Sequence, residues 1–214
     1  MMNKNNKIII YDFDGVICDS VDIKTKAFVD LYSNYSNDIK SQIVQYHYEH
    51  GGVSRLEKIK FFEQVILKNN PDSKYLNKMC EKFSKIVKDR VINAKYIEGA
   101  LSFIKKYADE YSQYICSGTP QGEIQEIIHR KKINKFFKGV FGSPDKKEVI
   151  IRRIIGNNKV ELDKVLYIGD AISDYHAARE CSVRFIGVEN VRTIFPEGID
   201  LIKDFNDKKL KQLL

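Results

Sequence analysis

The sequence predicts an α/β fold: a doubly wound parallel sheet with an inserted all-helical cap domain. Two observations predict the sheet. Short β-branched runs end in an acid or a glycine, and stretches with helical periodicity lie between them. A third observation predicts the cap, because residues 20–95 contain no convincing strand and are helical in their periodicity.

Five runs have the composition of buried strands with polar groups at their carboxyl ends. They cover residues 7–12, 114–118, 139–142, 165–170 and 183–187. The helical stretches of the same region cover residues 98–109, 121–130, 146–155 and 173–181. Strands that alternate with helices in this way are typical of a parallel sheet covered on both faces.

The insertion contains four helical stretches, over residues 22–32, 38–49, 55–67 and 75–91. A structureless loop of that length inside a compact domain is improbable. We therefore predict a core domain over residues 1–19 and 96–214 and a helical cap domain over residues 20–95.

Composition excludes several classes of protein. With 214 residues, 43% hydrophobic and 30% charged, the chain can bury a core. No apolar run near the N-terminus reaches the length of a signal peptide or a membrane span, which predicts a cytoplasmic protein without a membrane partner. The net charge of +7 is scattered, without a basic run, so we expect anionic metabolites rather than nucleic acid as partners. We expect a monomer or a weak homodimer.

The four cysteines are predicted to be reduced thiols packed as small apolar groups. None of them forms a Cys-x-x-Cys pair, and the sequence shows no export signal. We therefore expect no disulfide.

Polar side chains follow four of the predicted strands, and the carboxyl ends of parallel strands meet in one crevice. These residues are Asp12, Asp14, Ser117, Lys147, Asp170 and Asp174. Four carboxylates gathered together repel one another unless a lysine and a divalent cation neutralise them. Oxygen ligands with few nitrogen or sulfur partners favour Mg²⁺, which is the expected cofactor.

These motifs, taken together and in this order, resemble the four motifs of the haloacid dehalogenase superfamily, in its phosphatase branch with a helical cap. The resemblance spans the whole chain and rests on Asp12-Phe13-Asp14-Gly15-Val16, Ser117, Gly142-Ser143-Pro144-Asp145-Lys146-Lys147 and Gly169-Asp170-x-x-x-Asp174. Each motif alone is weak, but four at successive strand ends are specific.

The resemblance implies phosphoryl transfer through an aspartyl-phosphate. Asp12 would be the nucleophile and Asp14 the general acid and base. The cation would be held by Asp12, by the backbone carbonyl of Asp14 and by Asp170, with Asp174 acting through water or on Lys147. An acid at position 14 favours phosphate-ester hydrolysis over dehalogenation or phosphonate cleavage.

The resemblance also assigns the groups that would bind the phosphoryl oxygens. Ser117 and the backbone around Gly118 would donate hydrogen bonds, and Lys147 would neutralise the nucleophile. The motif spacing favours Lys147 over Lys146, which would then be a solvated neighbour at the helix start. Asp170 and Asp174 have an alternative interpretation as caps of the helix that starts near Ser173.

One segment of the insertion, Gly51-Gly52-Val53-Ser54-Arg55, resembles the substrate-specificity segment that helical caps place over the active site. Paired glycines let the backbone approach a ligand, and an arginine suits a bidentate anion contact. We therefore predict that Gly52 and Arg55 bind substrate. The alternative is that Arg55 is a solvated residue at a helix start.

The expected function is a Mg²⁺-dependent phosphatase for a small phosphorylated metabolite, a sugar phosphate or a phosphoglycolate-like compound by resemblance. One alternative is a phosphomutase of the β-phosphoglucomutase type, since the Gly-Val-Ser-Arg segment also resembles those enzymes. Another is a non-catalytic phospho-acceptor or binding module, which also needs acids, a hydroxyl and a lysine around Mg²⁺.

Overall fold

The computed structural model describes residues 7–214, in which six strands form one parallel sheet in the order β3-β2-β1-β4-β5-β6. The strands are β1 (Ile8–Tyr11), β2 (Ser112–Pro120), β3 (Gly139–Ser143), β4 (Val165–Gly169), β5 (Arg184–Val188) and β6 (Asp200–Ile202). Tyr11 pairs with Ile115 on one side and with Ile168 on the other. The carboxyl ends of β1 and β4 therefore lie side by side, next to the middle of β2.

Helices cover both faces of this sheet. Within β1, Ile9 and Tyr11 belong to one core cluster while Ile8 and Ile10 belong to another, because alternate side chains of a strand point to opposite faces. All four residues of β1 are buried. This arrangement confirms the predicted doubly wound parallel sheet.

The helical insertion lies between β1 and β2. Its α-helices are α1 (Val21–Leu31), α2 (Asn37–Glu49), α3 (Arg55–Phe61) and α4 (Ser73–Ile92). We call residues 21–92 the cap. Phe28, Phe62 and Phe83 form its centre, with the ring of Phe28 centred 4.2 Å from that of Phe83 and 5.2 Å from that of Phe62. The predicted inserted helical cap is thus present, whereas its limits at residues 20 and 95 stay a prediction.

Side-chain caps explain where three of these helices begin. Ser36, Ser54 and Asp72 each precede a helix and accept a hydrogen bond from a backbone N–H of its first turn. Such caps satisfy N–H groups that would otherwise lack a partner within the helix.

The remaining helices belong to the core. They are α5 (Ala100–Lys106), α6 (Gln121–Arg130), α7 (Lys147–Asn158), α8 (Ile172–Glu180) and α9 (Lys208–Leu213). In residues 7–214, no helix combines the length and the apolar composition that crossing a membrane requires. The four cysteines all lie within residues 7–214, where they are free thiols.

The structure differs from the predicted elements at β6, at α9 and at the end of α3. The sequence does not predict β6 or α9, which are only three and six residues long and show little periodicity. The helix predicted over residues 55–67 ends at Phe61 and continues as a π-helical turn, Phe62–Ile66, in which buried Glu63 accepts a hydrogen bond from Tyr32 at 2.9 Å. Residues 1–6 of the predicted core domain lie outside the described residues.

Candidate active site

The first of the predicted motifs, Asp12 to Val16, forms the turn after β1. The backbone N–H of Asp12 donates to the carbonyl of Ile168 at 2.9 Å, which ties the end of β1 to β4. Gly15 has a φ of 78°, and a Cβ there would lie 2.1 Å from Asp170 Oδ2. Only glycine allows the backbone both this conformation and this close approach to the Asp170 carboxylate.

Lys147 lies between two buried carboxylates at the carboxyl end of the sheet. Its Nζ is 3.2 Å from Asp12 Oδ2 and 2.5 Å from Asp174 Oδ1. Burial alone would lower the pKa of Lys147, but Asp12 and Asp174 outweigh burial and raise it, so this lysine stays charged. Lys146 is exposed and immediately precedes α7. Lys147, the residue that the motif spacing favours, thus lies between the carboxylates and Lys146 does not, while the catalytic role of Lys147 stays a prediction.

Asp174 is completely buried and fixed by three groups. Besides Lys147, the hydroxyl of Tyr167 donates to Asp174 Oδ1 at 2.9 Å, and the backbone N–H of Ala171 donates to Oδ2 at 3.1 Å. The contact with Ala171 satisfies an N–H at the start of α8. Asp174 therefore caps α8 and contacts Lys147 at the same time. The helix cap and the contact with Lys147, which the sequence left as alternatives, are both present.

Three carboxylates offer a cation site. Asp12, Asp170 and Asp174 each present an oxygen within 4.8 Å of the others. Oδ1 of Asp12 is buried without a hydrogen-bond partner among the described residues. Burial raises the pKa of Asp12 to about 7 despite Lys147, and burial together with Asp12 raises that of Asp170 well above its ordinary value. A divalent cation with oxygen ligands would relieve this clustering of acids, so the residues fit Mg²⁺.

The side chain of Asp14 lies outside this carboxylate group. It accepts hydrogen bonds from Ser20 Oγ at 2.5 Å and from Thr119 Oγ1 at 3.3 Å, and it forms an ion pair with Lys24. Burial raises the pKa of Asp14, but Lys24 and the two hydroxyls outweigh burial, and the net pKa lies below the ordinary value. In this state Asp14 is a carboxylate, and its side chain is not part of the predicted metal site.

The end of β2 supplies the hydroxyl group predicted to contact phosphate. Ser117 is 1% exposed, and its Oγ accepts a hydrogen bond from the backbone N–H of Thr119 at 3.1 Å. That contact leaves the hydroxyl proton of Ser117 free to be donated. Gly118 and Thr119 line the cavity beside Asp12 and Asp14. The structure thus brings the end of β2 to the same site as the end of β1.

The predicted specificity segment of the cap closes over this site. Ser173 Oγ donates to the carbonyl of Gly51 at 2.7 Å. Gly52 has a φ of 74°, and a Cβ there would lie 2.3 Å from Ser173 Oγ and 3.0 Å from Lys147 Nζ. A Cβ on Gly118 would lie 2.6 Å from the carbonyl oxygen of Gly52. The backbone at Gly52 therefore covers the site and lies against Lys147 and Gly118. We call this backbone the roof of the site.

Arg55 lines the cavity, but its guanidinium group has a partner within the chain. It donates to the two carboxylate oxygens of Glu123 at 2.9 and 2.6 Å. Ser84 donates to the same carboxylate at 2.6 Å. With 7% of its surface exposed, Arg55 is not a solvated residue, so the alternative interpretation from the sequence is wrong. The predicted substrate contact of Arg55 would require it to share or exchange this partner.

The cavity between the cap and the sheet has a volume of about 720 Å³, including its open mouth. It contains side chains that sequence reasoning missed: Lys24, His47, Tyr48, Lys58, Thr119, Asn190 and Arg192. Lys24 could have been predicted from the sequence. Its side chain shares a helical face with Val21 and Phe28 and places a charge on an otherwise apolar face.

The chain has relatives among known proteins. A scan against protein families matches residues 9–188 to the haloacid dehalogenase-like hydrolases. YfnB from Bacillus subtilis, assigned as a HAD-hydrolase and solved bound to magnesium, is 17% identical over 99% of both chains, with a TM-score of 0.73. Comparison with curated proteins gave no match.

Two further solved structures share the fold. A Thermotoga maritima protein assigned as a β-phosphoglucomutase is 18% identical over 97% of this chain and 100% of its own, with a TM-score of 0.68. A Haemophilus somnus protein, assigned by prediction as a phosphoglycolate phosphatase, is 14% identical over 100% of both chains, with a TM-score of 0.74. At these identities the likeness concerns the fold.

The family match begins within β1 and ends with the last residue of β5, so it includes all the strand ends that meet at the cavity. The resemblance noted in the sequence is confirmed, and the chain belongs to the haloacid dehalogenase-like hydrolase family.

Proposed function

We propose that this chain is a Mg²⁺-dependent phosphatase that hydrolyses a small phosphorylated metabolite, with Asp12 as the phosphoryl acceptor. One observation carries the proposal: within residues 7–214, Asp12 Oδ1 is buried without a hydrogen-bond partner, while Oδ2 contacts Lys147. One carboxylate oxygen is thus committed to a cationic neighbour and the other is free to bind a cation or to attack phosphorus.

The first half of the proposed reaction transfers the phosphoryl group to Asp12. A carboxylate oxygen of Asp12 attacks phosphorus, the bond from phosphorus to the substrate oxygen breaks, and the leaving oxygen takes a proton from Asp14. Asp14 must therefore carry a proton at this point. The proton that Asp14 takes from water in the second half of the reaction serves the next turnover. Lys24 contacts Asp14 and donates a hydrogen bond to Thr119 at 2.7 Å.

The second half releases phosphate and restores the enzyme. Water attacks the phosphorus of the aspartyl-phosphate, its proton passes to Asp14, and the bond from phosphorus to Asp12 breaks. The carboxylate form of Asp14, which Lys24, Ser20 and Thr119 stabilise, suits this half of the reaction.

The charge on the transferred group requires stabilisation throughout. Lys147 and the hydroxyl of Ser117, together with the backbone at Gly118, are the proposed donors to the phosphoryl oxygens. Asp12 and Asp170 would hold Mg²⁺, together with the backbone carbonyl of Asp14 and with Asp174 acting through water or on Lys147. When bound, the cation supplies positive charge at the phosphoryl oxygens.

Because the roof at Gly52 covers the site, we expect the substrate to be small. A cap in contact with the core excludes bulk water and admits only ligands that fit the cavity. Sugar phosphates and phosphoglycolate-like compounds are the proposed substrates, which agrees with the assignment of the Haemophilus somnus protein.

A phosphomutase remains the second candidate because the Thermotoga maritima structure shares the fold under that assignment. In a mutase the phosphorylated Asp12 would return its group to a sugar instead of to water. Free phosphate and the isomer formed from glucose 1-phosphate, measured in the same reaction, separate the two. Isomer without phosphate would replace the phosphatase proposal.

The proposed activity is tested by turnover of p-nitrophenyl phosphate and of a panel of phosphorylated metabolites, with and without EDTA. We expect phosphate release that requires Mg²⁺ and disappears in Asp12→Asn. Stoichiometric phosphorylation that persists without turnover would instead indicate a phospho-acceptor module.

A further inference from the structure

Among the side chains of residues 7–214 that line the cavity, one cationic group lacks an acidic partner. Four cations line it, and three of them form ion pairs with carboxylates of the chain: Lys24 with Asp14, Arg55 with Glu123, and Arg192 with Asp22. The fourth, Lys58 on α3, has no carboxylate within ion-pair distance in residues 7–214.

Burial makes an unpaired charge on Lys58 unfavourable. Lys58 is 3% exposed, and an ammonium group removed from water is unfavourable unless an opposite charge compensates it. Burial first, and the charge of Lys24 second, lower the pKa of Lys58 to about 7. An anionic group that entered the cavity beside Lys58 would supply the missing partner and favour the charged form.

His47 of α2 positions the amine of Lys58. Lys58 Nζ lies 2.7 Å from His47 Nδ1 and donates to the carbonyl oxygen of His47 at 3.2 Å. Burial and the neighbouring Lys58 lower the pKa of His47 well below its ordinary value, so the ring is neutral and Nδ1 can accept. These two contacts use two of the three N–H donors of a charged lysine. One donor remains for a ligand.

The same cavity connects Lys58 to the proposed site of phosphoryl transfer. Asp12, Gly118 and Thr119 line it from the sheet, whereas Lys58 and His47 line it from the cap. A substrate that spanned this cavity from the sheet to the cap would place one end at Asp12 and the other at Lys58. Phe28 and Phe83 line the cavity as well, so much of the remaining surface is apolar.

We propose that Lys58 is the specificity-determining residue of this enzyme, which binds a second anionic group of the substrate, a carboxylate or a second phosphate. The proposal rests on the proposed phosphatase function and narrows its substrate class. The substrate is a phosphate monoester with a further acidic group at the opposite end.

The experiment compares pairs of substrates in which one member carries a second anionic group and the other does not. The carboxylate pair is 2-phosphoglycolate and 2-hydroxyethyl phosphate, and the phosphate pair is glucose 1,6-bisphosphate and glucose 6-phosphate. The variant is Lys58→Met, which keeps an unbranched side chain of nearly the same length without its charge. Lys60→Met is the matched control because Lys60 is an exposed lysine on the same helix.

We expect Lys58→Met to lower kcat/KM for the doubly anionic member of at least one pair by about 10- to 100-fold, the range for a hydrogen bond to a charged group. The singly anionic member should change less than about twofold, and Lys60→Met should change neither. The pair that responds identifies the carboxylate or the phosphate. Equal losses for both members of both pairs would overturn the proposal.

A binding measurement separates this proposal from the proposed function. In Asp12→Asn, calorimetric titration with the same four compounds should show the same preference, lost on adding Lys58→Met. If none of the compounds releases phosphate, the proposed function is contradicted. If phosphate is released but Lys58→Met does not selectively lower the activity toward the doubly anionic compounds, only the role of Lys58 is contradicted. Circular dichroism checks the folding of each variant, and Lys58→Gln should repeat the result if Lys58→Met is unfolded.

Discussion

Arg55 of the cap and Glu123 of the core face each other in a buried, two-pronged ion pair, with N–O distances of 2.9 and 2.6 Å. Arg55 opens α3 and Glu123 lies in the first turn of α6, so the pair joins the cap to the helix that follows the Ser117 strand. The guanidinium group also lies 4.5 Å from the ring centre of Phe83. The cap thus contacts the core through a charged pair as well as through the Gly52 roof.

Removal of Arg55 alone should destabilise the protein. Arg55→Met leaves Glu123 buried without its main partner, and such a change typically costs about 3 to 5 kcal/mol of unfolding free energy. The double variant Arg55→Met/Glu123→Leu should recover most of that loss, since a buried pair can be replaced by apolar residues at little cost. Urea unfolding of the three proteins measures this.

The control is Lys88→Met, which removes a partly exposed ion pair to Glu126 between α4 of the cap and α6 of the core and should change stability little. Wild-type stability in Arg55→Met, together with a raised KM for the natural substrate only, would contradict the ion-pair account. That result would return Arg55 to the substrate-binding role predicted from the sequence.

Lys147→Met should lower kcat by about 10²- to 10³-fold, because it removes the positive charge next to Asp12. The matched control is Lys146→Met, in the exposed neighbour one position earlier, which should leave kcat unchanged. Steady-state phosphate release at saturating substrate measures both. The reverse ranking of the two variants would show that the buried lysine is structural.

Asp14→Asn should lower kcat by about 10²- to 10⁴-fold, since it removes general acid and base catalysis while Asp12 remains. Both half-reactions are affected, and rapid-quench kinetics separates them. Near-normal turnover in this variant would remove Asp14 from the proposed mechanism and leave its contacts with Lys24, Ser20 and Thr119 a structural role.

The affinity for a doubly anionic substrate should fall as pH rises above about 7. Lys58 loses its proton near that pH in the free enzyme, and a bound anion raises its pKa, so binding requires proton uptake. The fall should reach at most about tenfold per pH unit. Besides His47, the groups whose charges act on Lys58 are Lys24, Lys147, Asp14 and Asp170.

Calorimetric titration of Asp12→Asn with 2-phosphoglycolate between pH 7 and 9 measures this dependence, above the range where the phosphate itself titrates, near pH 6. Lys58→Met should show a flat profile in the same range. A flat profile in the protein that retains Lys58 would contradict the prediction.

The same pKa shift affects stability. Since the pKa of Lys58 is lower in the folded protein than its ordinary 10.5, the unfolded chain binds more protons between pH 7 and 10.5. The contribution of Lys58 to the unfolding free energy therefore rises with pH in that window. The gain in unfolding free energy of Lys58→Met over the wild-type protein should therefore be largest at or below pH 7. Urea unfolding of both proteins at several pH values checks this.

The sequence predicted the parts of the site that follow strands. Asp12, Ser117 and Asp170 end buried β-branched runs, and parallel strands bring such ends together regardless of the details of packing. Lys147 was predictable from motif spacing for the same reason, as it follows β3 at a short distance. The two short elements, β6 and α9, have too few residues for a periodic pattern.

Contacts between the cap and the core could not be predicted from the sequence. Arg55 and Glu123 are 68 positions apart, and no local pattern indicates that they meet. Lys58 and His47 lie on different helices, and their pairing depends on how α2 and α3 pack. Burial decides the role of each of these residues, and burial of a charged side chain is a property of tertiary packing.

The most direct test of the account is the chemical fate of Asp12 during turnover. The enzyme is mixed with substrate labelled in its phosphoryl group, quenched in acid within one turnover, and digested for mass spectrometry. We expect one phosphoryl group on the peptide that contains Asp12, absent from Asp12→Asn and formed only when Mg²⁺ is present. Rapid phosphate release with no label at Asp12, or undiminished turnover in Asp12→Asn, would contradict the account.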